Sequence, residues 1–393
     1  MDNNKKEDLT FYGLGIAPGM LEILRKLSYV KPTPIQHQSI AVAIEGKDIV
    51  GVAQTGTGKT LAFGIPMIQR LAQTKGMGLV LSPTRELAMQ TDLQLHRLGN
   101  TIGLKTAVLI GGVPIRPQIS DLRRNPDIIV ATPGRLIDHL HQRTASLSKV
   151  NILVLDEADR MLDMGFLPQI KEILKVVPKE RQTMLFSATL SSDVMKIASA
   201  EMKLPVRIEI APAGTTVDTV SQDIFIVSKE EKTILLEKIL ERHAGSALVF
   251  ARTRYGAHKI AKAISQMGYQ VAEMHSDRTF GQRKMALDGF KSGKYKVLVA
   301  TDIMARGIDV AGIEVVINYD LPSQAEDYVH RIGRTARAGN KGIAISFVMP
   351  SEQAELRAIE WLIKKKLNVS TIPGLGRQFS KPRMVYSSRR RRR

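Results

Sequence analysis

The chain has no cysteine, which excludes disulfides, thiolate metal sites and thiol catalysis and fits a reducing cytoplasm. Aromatic residues are scarce, and tryptophan occurs once. No uninterrupted apolar run approaches the roughly 18 residues of a membrane span. Residues 1–9 are polar and lack the apolar core of a secretory signal, so no membrane attachment is expected. The eight histidines are scattered, and His139 and His141 stand two apart, a spacing that puts them on different sides of a helix and disfavours a shared metal. Acidic residues are in deficit: 57 Lys+Arg face 38 Asp+Glu, a net charge of +19. Such an excess points to a polyanion, either nucleic acid or an anionic membrane surface.

What is present is enough for two sizeable cores: 393 residues, 44% of them hydrophobic. Short apolar runs alternate with longer amphipathic stretches, the pattern of α/β units around a mostly parallel sheet. Candidate strands fall at 48–53, 78–82, 106–110, 127–131, 151–155 and 182–186. A second series falls at 222–227, 247–251, 270–273, 296–300, 314–318 and 342–348. Between them, residues 211–221 (APAGTTVDTVS) have no helical period and read as a linker. The expected plan is a first domain over 1–210, a second over 222–371, and a tail over 372–393. An internal echo between DIIVATPGRLID, starting at Asp127, and KVLVATDIMARGID, starting at Lys296, suggests two related halves. The tail holds eight basic residues and no acidic ones, ending in Arg389, Arg390, Arg391, Arg392 and Arg393. It reads as disordered when unbound, and as a sequence-independent tether.

The sharpest local signal is Ala53-Gln54-Thr55-Gly56-Thr57-Gly58-Lys59-Thr60, between a candidate strand and a helix. Small residues there let backbone N–H groups approach phosphate oxygens, and the helix N-terminus favours anions. Lys59 would reach the β and γ phosphates and Thr60 would hold Mg²⁺. The alternative is a Gly-rich turn, and Ala53 departs from the glycine that usually opens such a loop. A second strand runs into Asp156-Glu157-Ala158-Asp159, where Asp156 would join the Mg²⁺ shell and Glu157 would orient or deprotonate the attacking water. Here the alternative is an acidic helix cap, a part that suits Asp159.

With those residues spelling DEAD, residues 11–366 resemble a DEAD-box ATP-dependent RNA helicase of superfamily 2, motif order intact. The chain looks like a short-tailed bacterial member of that family, RhlE-like. The resemblance implies two tandem RecA-like domains, ATP with Mg²⁺ as cofactors, and single-stranded or short duplex RNA as partner. It assigns Phe11, Tyr29 and Gln36 to the adenine, the last through its amide donor and acceptor. It assigns Pro83, Thr84, Arg85, Gly111, Gly112, Thr132, Pro133, Gly134 and Arg135 to RNA in the first domain. In the second, Arg252, Thr253, Arg283, Thr301 and Asp302 take that part, in segments that also hold Phe250 and Phe290. Ser187, Ala188, Thr189, Asp159 and His330 would couple nucleotide state to RNA grip. Asp309 would contact the ribose, and Arg334 and Arg337 are the arginine-finger candidates, a device that contributes roughly 10³ to 10⁵ in rate.

Four departures from the family stand out: Ser28 and Ala336 where glycine is usual, Tyr29 for phenylalanine, and Phe280 for a glutamine three residues before Arg283. The hydrolytic residues lie in one half and the fingers in the other. The catalytic site should therefore exist only when the halves meet, with ATP and RNA favouring the same closed state. Roughly 8 to 12 kcal/mol of binding free energy against about 1.4 kcal/mol per base-pair step allows only local strand separation. An ATP-gated RNA clamp or annealing protein and a DNA-directed translocase are the rival readings. A monomer is expected, with ribosomal or RNA-decay proteins as candidate partners.

Overall fold

The computed structural model describes residues 10–54, 56–210, 220–305, 310, 312–335 and 342–372. Two seven-stranded sheets, every pairing parallel, are each flanked by helices. The first contains β1 (Ile49–Val52), β2 (Met77–Leu81), β3 (Thr106–Leu109), β4 (Ile128–Ala131), β5 (Val150–Leu155), β6 (Gln182–Ser187) and β7 (Val206–Glu209) in the order β3-β4-β2-β5-β6-β1-β7. The second contains β8 (Val220–Ile226), β9 (Ala247–Phe250), β10 (Val271–Met274), β11 (Val297–Ala300), β12 (Val315–Asn318), β13 (Gly342–Val348) and β14 (Asn368–Val369) in the order β10-β11-β9-β12-β13-β8-β14.

Central strands such as β4, β9 and β11 are buried at every position, because helices cover both faces of a parallel sheet. This is why they read as continuous apolar runs. The covering helices fill two core clusters in the first domain, and three in the second. All twelve sequence-derived strands are present. The two not foreseen are edge strands: β7 is mostly open to solvent and β14 is two residues long, so neither carries the apolar run that marks an interior strand. Residues 211–219 of the expected linker lie outside the described residues, while Val220 and Ser221 already belong to β8, in register with Gly342 and Ile343. The tail beyond Ile372 also lies outside them, so its expected disorder and its five terminal arginines receive no structural account.

One correspondence follows from the shared strand order. Lys59 opens the helix that follows β1, and Lys232 opens the helix that follows β8. Lys59 meets an acid beyond β5. Lys232 is likewise buried, and donates to Tyr319 O at 2.7 Å and Asp320 Oδ1 at 3.0 Å, just beyond β12.

Candidate functional site

The phosphate-loop candidate leaves β1 and turns into the helix Lys59–Gln73. Gly56 and Gly58 have φ of 86° and 91°, backbone that a side chain would strain. Ala53 has no positive φ, so the missing glycine costs nothing there. Its carbonyl instead accepts from Lys59 Nζ at 3.1 Å. Thr57 Oγ1 closes the loop onto Gln54 O at 2.7 Å. Thr60 opens the helix beside Lys59; Thr55 lies outside the described residues.

Lys59 Nζ also donates to Glu157 Oε1 at 2.6 Å, both side chains buried. Glu157 sits at φ 53°, ψ 52°, a left-handed conformation unusual for a non-glycine and retained most often where function needs it. Burial opposes ionisation of both neighbouring carboxyls. For Asp156 it prevails, with repulsion from Glu157, and pushes the pKa up to about 7 despite Lys59. For Glu157, Lys59 outweighs burial, and Arg160 and Arg334 add to it, holding the pKa down at about 2. Burial also works to discharge Lys59, but Glu157 and Asp156 raise its pKa overall. Asp156 Oδ1 is buried with no hydrogen-bond partner. An orphaned carboxylate oxygen beside the phosphate loop fits Mg²⁺, which takes few protein ligands and completes its shell with water and phosphate.

The sites expected to couple the ligands are joined by direct bonds. Asp159 Oδ2 accepts from the backbone of Ala188 at 3.1 Å, the backbone of Thr189 at 2.8 Å and Thr189 Oγ1 at 3.0 Å. Ser187 Oγ accepts from Asp159 N at 3.2 Å and donates to Thr189 O at 2.7 Å. Asp159 thus ties the acidic loop after β5 to the hydroxyl loop after β6. Both loops open onto a cavity of about 850 Å³ between the domains, whose walls include Gln54, Glu157, Thr301, Asp302, His330 and Arg334. His330 and Arg334 come from the second sheet's side, and Arg334 donates to His330 O at 3.1 Å. Arg337 and Asp309 lie outside the described residues, as does Ala336.

Several residues assigned to ligands are committed to the protein itself. Phe11 is 4% exposed and belongs to the first core. Tyr29 packs partly against the same core. The Gln36 amide donates to Gly58 O at 3.0 Å and accepts from Thr33 N at 2.9 Å, bracing the phosphate loop. Ser28, before Tyr29, has φ 62°, which explains why glycine is usual there and costs serine roughly 1 kcal/mol.

Thr84, Thr132 and Thr253 stand at the N-termini of three helices that follow β2, β4 and β9. Pro133 and Gly134 open the second of these. Helix N-termini suit phosphates. Arg135 donates through both terminal nitrogens to Val113 O at 3.1 Å, and Arg85 lies against Gly111 and Gly112, where a Cβ on Gly112 would collide with its guanidinium. Both arginines therefore shape the glycine loop. Pro83 is buried ahead of its helix, and Thr301 lines the cavity.

In the second domain, several residues expected at RNA are bonded within the protein. Both oxygens of Asp302 bind Arg331, at 2.5 and 2.8 Å, and Arg331 also packs over the Phe250 ring. Asp302 is thus a structural partner, and its charge would repel a phosphate in any case. Phe250 and Phe290 are core residues. Arg252 pairs with Glu352 at 2.9 Å. Arg283 crosses to the first domain and pairs with Glu86 at 2.8 Å, almost fully buried. Phe280 packs against the first domain's core and under Arg283. Sequence reasoning missed Arg160, which reaches across to the Ile303 carbonyl; nothing in its sequence setting marks it. Arg331 and Glu86 stand close to expected site residues along the chain, yet their partners lie far away in sequence.

Comparison with known proteins agrees with this geometry. The DEAD/DEAH box helicase family model matches residues 33–197, and the helicase conserved C-terminal domain matches 231–339. The chain is 44% identical over 362 residues to the ATP-dependent rRNA helicase RRP3 of Scheffersomyces stipitis, covering 91% of this chain and 75% of that one. It is 41% identical over 370 residues to the DEAD-box ATP-dependent RNA helicase CshA of Bacillus subtilis, covering 93% and 75%. Among solved structures, S. cerevisiae Dbp5 bound to RNA and ADP BeF3 superposes with a TM-score of 0.83 at 30% identity, covering 92% of this chain and 95% of that one. Mss116p bound to ssRNA and AMP-PNP gives 0.84 at 27%, covering 95% and 81%. With the acidic loop, the phosphate loop and the paired sheets in one arrangement, the chain belongs to the DEAD/DEAH box helicase family.

Proposed function

We propose that the chain, an ATP-dependent RNA helicase, hydrolyses ATP in the cleft between its two sheets and uses the cycle to grip, locally separate and release RNA. One observation carries the reading: Glu157 of the first domain, bonded to Lys59 at 2.6 Å, lines the same cavity as Arg334 of the second, and both cations favour its ionised form. Mg²⁺, when bound with ATP, neutralises charge on the phosphates. Asp156 and Thr60 would hold it. Lys59 would leave Glu157 for the phosphates, freeing that carboxylate to orient water, while Arg334 and Arg337 stabilise charge on the transferring group. The bonds from Asp159 to Ala188 and Thr189 support transmission of that change to the RNA side. Asp309, the adenine roles of Tyr29 and Gln36, and the RNA roles of Thr84, Thr132 and Thr253 belong to the same proposal. Both half-sites reside in one chain, which supports action as a monomer. A cysteine-free chain handling RNA suits the cytoplasm, with ribosomal or RNA-decay proteins as partners.

The experiment is ATPase rate against RNA concentration for wild type and Arg334→Ala. Strong RNA stimulation that the substitution abolishes supports the cycle. A rate already maximal without RNA sinks it. Matched RNA and DNA strands separate this reading from a DNA-directed translocase, since only RNA carries the 2′-hydroxyl. A Glu157→Gln variant that still clamps RNA but no longer separates strands distinguishes gripping from turnover.

A further inference from the structure

The single tryptophan, Trp361, is 82% exposed on the helix Gln353–Ile363. That helix buries Ile359 and Ile363 in the second domain and turns Leu362 into the wall of the interdomain cavity. Trp361 joins no core cluster, so packing does not account for it. Its surroundings are basic. Arg357 lies one turn before it, Lys364 and Lys365 one turn after it, and Lys366 follows, all exposed. Lys364 adopts φ 52° as the helix ends, turning the chain there. Of the acids on or just before this helix, Glu360 accepts from Leu367 N at 2.9 Å and Glu352 pairs with Arg252, while Glu355, two residues before Arg357, has one buried carboxylate oxygen without a hydrogen bond. Lysines at a helix C-terminus complement its dipole, but that benefit needs no exposed indole beside them.

We propose that Trp361, with Arg357, Lys364 and Lys365, is a stacking platform for a base of single-stranded RNA that extends beyond the cleft. An aromatic face among cations is the combination that holds single strands without reading sequence: the ring takes a base and the cations take phosphates. Leu362 lines the cavity that holds Glu157 and Arg334, so this face borders the nucleotide side of the cleft, where a strand arrives only after passing beyond its grip. Charge decides among occupants. The chain's own tail over 372–393 is basic and is repelled by this face, whereas RNA complements it. The inference rests on the helicase reading, since that function supplies the strand that extends past the cleft.

The lone tryptophan makes the test direct. Full-length protein is titrated with a single-stranded RNA of about 20 nucleotides, long enough to pass beyond the cleft, following tryptophan emission and, in parallel, polarisation of the labelled strand. Emission should be quenched on binding. An abasic strand of equal length should bind without quenching. Trp361→Ala should weaken binding of the long strand about tenfold, as loss of one stacked base does, with a smaller loss for about six nucleotides, and Trp361→Phe should restore most of it. At 82% exposure neither substitution threatens the fold. Emission that stays constant while polarisation reports binding overturns the platform, and so does equal quenching by the abasic strand. An emission change on removing residues 373–393 without RNA would show that the tail covers the ring, and overturns it too. RNA-stimulated ATPase is recorded alongside: intact stimulation with unmoved emission rejects the platform alone, while absent stimulation rejects the helicase reading.

Discussion

Lys59 is bonded directly to the buried Glu157 at 2.6 Å, and Asp156 stands next to both. Lys59→Ala would leave two carboxyls buried side by side. It should cost about 3 to 5 kcal/mol of stability as well as ATPase, read by urea unfolding without nucleotide. Glu157→Gln should cost less, because Lys59 keeps the attraction of Asp156. The Asp156 carboxyl, raised from 3.8 to about 7, keeps its proton in the folded chain where the unfolded chain has released it. That residue therefore subtracts stability as pH climbs through this window, and the loss is complete above it. Mg²⁺ needs the ionised form, so Mg²⁺-dependent ATP affinity should rise with pH to about 7 and then level. Calorimetric titration across that range checks it, with Asp156→Asn flattening the rise; a flat wild-type profile contradicts it. The loop residues responsible were legible in the sequence because the chemistry requires those types at the ends of strands. The buried partners of Arg331 and Arg283 were not, because ion pairs between residues 29 and 197 positions apart leave no local pattern.

At the scale of elements, the helix Phe280–Lys291 meets the first domain through its opening residues. Phe280 lies against that domain's core and Arg283 pairs with Glu86. In the sequence, Phe280 marks only the place of a missing polar side chain; in the fold it supplies apolar surface between domains. Phe280→Gln should weaken closure by about 1 kcal/mol, the scale of a partly buried ring's apolar area. The RNA concentration giving half-maximal ATPase should then rise about fivefold, with the rate at saturating RNA little changed. An unaltered half-saturation would show that Phe280 does not support the closed state. Interior strands were readable because burial on both faces demands unbroken apolar runs. The edge strands β7 and β14 escaped since their stability comes from hydrogen bonds to β1 and β8, to which any side-chain sequence can contribute.

For the molecule as a whole, the charge of +19 divides between a tail with eight basic residues and two domains that enclose the cleft. Deleting Arg389 to Arg393 should flatten the salt dependence of RNA binding, by up to about 0.7 in logarithmic slope for each phosphate that the tail no longer neutralises, and leave ATPase at saturating RNA largely intact. An unchanged slope would assign the tail to solubility alone. A closure that offsets only a handful of base-pair steps should release short duplexes and stall on long ones. A single-turnover assay with duplexes of about 10 and about 40 pairs reads this directly, at about 1.4 kcal/mol per step.

The matched strand orders repeat a lysine–acid pair in both sheets. Lys232 and Asp320 occupy, in the second sheet, the places that Lys59 and the acidic loop occupy in the first. In the second sheet the lysine is satisfied by Asp320 and the Tyr319 carbonyl. Lys232 thus braces the second domain from within, while Arg334 of the same domain lines the cleft.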